Sequence, residues 1–166
     1  LEESGYKDKI KCQVLNACEY GNIPQNRERI YIVAFRDKED FDRFQMPMPT
    51  TLDKNIKDVF NFDTKKGKKR QIIPWNTKVD DKYYYTEGKY KGNIYKLLTE
   101  EMDDDNTVYQ WRRKYVRKNQ SNLVPTLTAN MGTGGNNVPI ILTDSGEIRK
   151  LTPREVFNGQ SYPKDF

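Results

Sequence analysis

IPQNRERIYIVAF, residues 23–35, runs from polar and charged side chains directly into an apolar strand. Gln25, Arg27 and Arg29 alternate with Asn26 and Glu28, and the stretch from Ile30 to Phe35 is almost wholly apolar. In an extended segment successive side chains point to opposite faces, so the glutamine and both arginines share one face. The β-branched and aromatic run behind them is the strongest strand signal in the chain and is apolar on both faces. Such a strand normally lies inside a sheet with helices above and below it. The preceding KIKCQVLNACEYG, residues 9–21, reads as its partner strand, followed by a turn at Gly21 and Asn22. A lone hairpin of this kind cannot bury itself. It implies more sheet than the chain supplies, or a partner surface.

Outward from the hairpin, LEESGY at the start reads as a helix tail closed by Gly5. KEDFDRF, residues 38–44, predicts a short helix before the break at MPMP, and the composition changes near residue 47. Beyond it the texture is Lys, Asp, Asn and Tyr, with short helices expected at IKDVF and IYKLLTEEM. VYQWRRKYVRKNQ reads as strand and turn, and NLVPTLTANMGTGGNNVPIIL as two extended pieces around a glycine loop. LTDSGEIRKL is a hairpin centred on Asp144, Ser145 and Gly146. LTPREVFNGQ carries a helix start: Thr152 as N-cap, Pro153 in the first turn and Glu155 three residues after the cap.

The chain has 166 residues, 35% of them hydrophobic, with 11 Tyr and no His. Aromatic residues make up 12% of the chain, which argues against disorder, and with a mean hydropathy of −0.98 it reads as folded but loop-rich with a thin core. No apolar run approaches the roughly 20 residues of a membrane span, and no signal-peptide pattern opens the chain. Without histidine, the usual general base and most zinc sites are excluded, and the two cysteines, Cys12 and Cys18, cannot build a metal centre alone. About 20 Å apart on one extended segment, they are also too distant for a mutual disulfide. The net charge is +5, concentrated in KKGKKR (65–70) and in WRRKYVRK (111–118), where Trp111 and Tyr115 interleave the cations. EEMDDD (100–105) opposes them. Basic clusters with aromatic neighbours favour an anionic partner, nucleic acid above all, although KKGKKR reads equally as a solvated loop. The glycine loop lacks the spacing of a phosphate cradle, and its glycines suit close backbone approach or a flexible turn.

Three stretches together resemble the bacterial DNA (cytosine-5) methyltransferases of restriction–modification systems. Ile23 to Arg29 followed by IYIVAF is similar to the family's Gln-x-Arg-x-Arg motif. PTLTANMGTGGNNVP, residues 125–139, resembles the Thr-Leu-bearing end of the target recognition domain. RKLTPREVFNGQSYPKDF, residues 149–166, resembles the motif that returns the chain to the catalytic domain. The resemblance frames the whole chain. It implies an α+β fragment: terminal strands of an α/β methyltransferase sheet plus a small, loop-rich, mainly β recognition domain. The implied boundaries are 1–46 for the end of the catalytic domain, 47–148 for target recognition and 149–166 for the return segment.

The resemblance also implies what is elsewhere. The family's cofactor glycine motif, Pro-Cys nucleophile loop and Glu-Asn-Val motif are expected before Leu1, and an Asn-bearing helix after Phe166. Neither cysteine here stands in a Pro-Cys context. By this reading the chain is inactive alone and needs the missing N-terminal catalytic portion. The whole enzyme is expected in the bacterial cytoplasm, acting on double-stranded DNA with S-adenosylmethionine, while this chain holds neither that cofactor nor a metal. A cytosine is swung out of the duplex, Arg29 meets it and its neighbouring phosphate, and Arg27 and Gln25 shape the pocket rim. DNA contacts are expected from Thr126, Leu127, Thr128, Asn130, Gly132, Gly134, Gly135 and Asn136, and then from Arg112, Arg113 and Arg117. Two positions depart from the family pattern. Ser161 stands where Gly is usual, and Gly159 falls where a larger apolar residue is common, at about 1 kcal/mol in helix propensity. Two rival readings are a stand-alone basic nucleic-acid-binding module without catalysis and a protein-interaction domain with an acidic partner.

Overall fold

The structure is a computed structural model that describes residues 5–6, 8–62, 79–90, 92–120, 122–129, 131 and 136–163. The helix tail expected before Gly5, the KKGKKR cluster, Asn130, Gly132, Gly134, Gly135 and the side chain of Asn136 lie outside the described residues.

β1 (Ile10–Asn16) and β2 (Glu28–Ala34) form an antiparallel hairpin with Ile10 opposite Ala34 and Asn16 opposite Glu28. The first strand ends one turn earlier than its sequence suggests, because Ala17–Tyr20 coils into α1. The register places Cys12, Val14, Ile30 and Ile32 on one face and Lys11, Gln13, Leu15, Arg29, Tyr31 and Val33 on the other. The second face is partly covered by α2 (Lys38–Arg43) and the residues after it, with the Lys11 ammonium 4.7 Å from the Phe41 ring centre. The first face is open: Val14, Ile30 and Ile32 are 57%, 62% and 54% exposed. The described residues therefore do not supply the second layer that β2's sequence calls for, in line with a hairpin that needs more sheet or a partner surface. Two strands supply only one layer, and nothing in the described residues covers the outer one.

The second sheet is antiparallel in the order β3-β7-β6-β4-β5. Its strands are β3 (Tyr84–Tyr85), β4 (Tyr109–Arg112), β5 (Val116–Lys118), β6 (Asn136–Leu142) and β7 (Ile148–Lys150). Alternation along the strands makes two cores. Tyr85, Tyr109, Val138, Ile140 and Ile148 pack with Leu98 and Met102 of α4 (Ile94–Glu101) and its end. On the opposite face Val108, Ile141 and Leu151 pack with α3 (Ile56–Val59), Phe60, Phe62, Val124 and Leu127. The boundary expected between residues 148 and 149 falls inside β7, because the turn at Gly146 (φ +81°) returns the chain to the same sheet.

α5 (Pro153–Gly159) forms as its sequence predicts, with Thr152 and Glu155 exchanging capping bonds. Glu155 does more than cap. Its carboxylate takes two hydrogen bonds from the fully buried Arg149, at 2.7 and 2.9 Å, and one from the Asn61 amide at 2.8 Å. Arg149 also donates to the carbonyls of Lys150 and Asn61. One ion pair thus ties β7, α5 and the segment after α3 together. Gly159 is buried, and a Cβ there would lie 3.0 and 3.1 Å from Phe60 ring atoms. A larger residue at this position would crowd that ring, which would have to shift to admit it. Ser161 takes φ +60°, the left-handed conformation that explains why glycine is expected there.

Candidate functional site

The first candidate cluster is built by a junction between the hairpin and the second sheet's supporting layer. Residues 24–26 run beside Val124, with Val124 N–H donating to Pro24 O and Asn26 N–H to Val124 O, both at 2.8 Å. The Thr126 hydroxyl donates to Asn26 O at 2.8 Å. From the hairpin side, Asn16 donates to the Asn26 side chain at 2.7 Å and accepts from Arg27 N–H at 3.0 Å. The backbone carrying Gln25 and Arg27 is thus held from both sides.

Gln25, Arg27 and Arg29 all line one cavity of about 550 Å³, together with Tyr20, Tyr31, Gln160 and Tyr162. Arg27 is half-buried. Arg29 is exposed, with a guanidinium nitrogen donating to its neighbour's carbonyl, Glu28 O, at 2.6 Å. Neither arginine makes an ion pair among the described residues, so Glu28 does not neutralise them. Gln25 is 1% exposed, and its side-chain nitrogen is buried without an acceptor. An unmet buried donor costs about 1–3 kcal/mol, and Gln25 is one of the residues that line the cavity. Two guanidiniums and an amide suit an oxygen-rich, anionic occupant.

Around the second sheet, the expected DNA-facing residues divide. Leu127 is 5% exposed and packs in the core, so its side chain is not available to a ligand. Thr126 is half-buried and Thr128 exposed. Arg112 is half-buried and donates to the Asn137 side chain near the start of β6. Arg113 and Arg117 are exposed. Lys118, by contrast, pairs with Asp103 at 2.8 Å and Asp104 at 3.5 Å. The bonds from Lys118 and then Tyr109 hold the Asp103 carboxyl below the usual carboxylate range. The structure therefore brings Gln25, Arg27, Arg29 and Thr126 together, and separately joins Arg112 to Asn137.

Sequence reasoning did not anticipate Gln160 and Tyr162 in the cavity wall. The reversal of the chain at Ser161 brings them there, and no periodicity signals it. Among the described residues no helix is long and apolar enough to cross a membrane, and no group of His, Cys, Asp or Glu is placed to hold a metal ion.

The model of the C-5 cytosine-specific DNA methylase family matches residues 1–166. The chain belongs to that family. Over 166 residues this methylase chain is 56% identical to the Type II methyltransferase M.Bsp6I of Bacillus sp. (strain RFL6), covering all of itself and 47% of that protein. It is 27% identical over 168 residues to the Type II methyltransferase M1.ScrFI of Lactococcus lactis subsp. cremoris, covering all of itself and 37% of that protein. A stretch of 47 residues, 28% of the chain, is 49% identical to 14% of the Type II methyltransferase M.HhaI of Haemophilus parahaemolyticus. The methylase chain spans less than half the length of these curated relatives.

Proposed function

We propose that this chain is the DNA-reading part of a cytosine-5 DNA methyltransferase, joined in function to a catalytic portion that carries the nucleophile and binds S-adenosylmethionine. Residues 1–46 form the end of the catalytic domain, residues from 47 onward read the target, and the segment around α5 returns to the catalytic side. The observation that carries this reading is the shared cavity of Gln25, Arg27 and Arg29, clamped to Thr126 by the junction at Val124.

In this reading the cavity receives a cytosine turned out of the duplex. Arg29 exchanges its exposed bond to Glu28 O for bonds to the base's oxygen or the adjoining phosphate. Such a bond to a charged donor is worth about 1.5–3 kcal/mol. Arg27, half-buried and backbone-held, fixes the rim. Gln25 offers its unmet N–H to an oxygen of whatever fills the cavity. S-adenosylmethionine, which supplies the methyl group, is assigned to the catalytic portion: this cavity's lining has no carboxylate to face its sulfonium and ammonium. The open apolar face of the hairpin supports docking against the catalytic portion, since a face of Val14, Ile30 and Ile32 is costly to leave in water.

The test is Arg29→Ala in the full-length protein. Methylation of duplex DNA is expected to fall about ten- to a hundredfold, with duplex binding changed less than about threefold. Equal losses in both would count against a role at the extruded base. Duplex binding should also weaken steeply with added salt, as phosphate contacts require. A flat response would favour the protein-interaction reading.

A further inference from the structure

We infer that the apex of the β4–β5 hairpin is a groove-reading finger, in which Arg113 discriminates between base pairs. The inference rests on the reading of the chain as a DNA-binding part and names the residue that selects sequence.

The turn is Arg112-Arg113-Lys114-Tyr115, without a glycine, asparagine, aspartate or proline. Lys114 N–H donates to Arg112 O at 2.8 Å and Arg113 has φ +64°. That is a γ-turn of the strained, positive-φ hand. In the β6–β7 hairpin of the same sheet the positive-φ position is a glycine, Gly146 at φ +81°, and among the described residues the other non-glycine residues at positive φ are Asn22, Asn122, Asn137 and Ser161, all short and polar. A long cationic side chain held where glycine would sit without strain is there for what it touches.

The surroundings agree. Arg113 and Lys114 are exposed, Tyr115 is 55% exposed, and among the described residues neither cation forms an ion pair. The finger's base is fixed: Trp111 opposes Val116 and both pack on the core, while Arg112 is tied to Asn137. A two-stranded ribbon of this width enters the major groove, and the guanidinium fork matches the two acceptors of guanine. A lysine at the apex would hold phosphate as well but could not make that paired contact.

The experiment gives the full-length protein, with S-adenosylmethionine, a pool of duplexes of randomised sequence, and reads methylated cytosines by sequencing. Arg113→Lys is expected to relax preference at one base-pair position about 5- to 150-fold while keeping the salt dependence of duplex binding. Arg113→Gly should relax the same position, reduce the salt slope by about one, and leave the melting temperature unchanged or raised. Uniform weakening across all sequences by either variant would make Arg113 a phosphate contact and overturn the proposal. So would an unaltered site preference in both variants. If the unsubstituted protein methylates no duplex in the pool, the DNA-reading assignment fails with it; if it shows a preference that both variants keep, only the finger fails.

Discussion

Replacing Arg149 by methionine tests whether one buried ion pair holds the return segment to the sheet. Arg149 is fully buried and meets Glu155 through two nitrogens, the shorter contact at 2.7 Å. Methionine fills much of the volume but removes both bonds to Glu155, the bonds to the Lys150 and Asn61 carbonyls, and the counter-charge. Glu155 keeps three donors: Asn61 N–H and Thr152 N–H at 2.8 Å and the Thr152 hydroxyl at 2.9 Å. The carboxylate is therefore still hydrogen-bonded, yet its charge is uncompensated in a site only 6% exposed. Breaking a buried pair in this way costs about 3–5 kcal/mol, and the surviving bonds place the expectation near 3. Against a total stability of about 5–15 kcal/mol, that is a large share. In the full-length protein, amide exchange of the peptide covering β7 and α5 should accelerate about a hundredfold or more. Adding Glu155→Gln should recover about 1 kcal/mol, because glutamine removes the buried charge and keeps the capping box through its one oxygen, at the expense of the Asn61 N–H, which then faces its NH2. The wall contributed by Gln160 and Tyr162 should loosen with α5. Exchange within threefold of the unsubstituted protein, or a double variant less stable than the single one, would refute the argument.

Three further outcomes follow from local geometry. Ser161→Gly should raise stability by roughly 1 kcal/mol, since φ +60° penalises any side chain; an unchanged or lowered melting temperature would contradict this. Gly159→Ala should lower stability by about 1 kcal/mol: the helix-propensity gain of about 1 is outweighed by 1–3 of overpacking against Phe60, 3.0 Å away. A stabilised variant would mean that the ring yields freely. The Asp103 carboxyl, held low by Lys118 and Tyr109, contributes stability that is present above its unfolded value near 4 and fades as pH falls through the lowered folded value. Asp103→Asn should be less sensitive to acid over that window, and parallel acid profiles of the two proteins would remove Asp103 from the account.

Local signals identified much of the architecture. The alternation around Gln25, Arg27 and Arg29 gave their common face, and the apolar run behind them gave β2. Thr152, Pro153 and Glu155 marked the start of α5, and Gly146 marked the last hairpin. Each is a property of neighbours in the chain, where backbone geometry and capping are fixed within a few residues. The three motifs carried the family as well, because they are read in order and need no coordinates.

Other features arise only when distant segments meet. The partner of residues 24–26 is Val124, about a hundred positions away, and no periodicity in either segment encodes that pairing. Glu155 reads as a helix cap in sequence; only the folded chain makes it the counter-ion of Arg149. Gly159 looks like a weakness in a helix until the Phe60 ring is found where its side chain would be. Leu127 sits among polar neighbours, yet the core takes its side chain. In each case the deciding quantity is a contact across the fold, where packing and charge pairing outweigh the modest preferences that a single segment carries by itself.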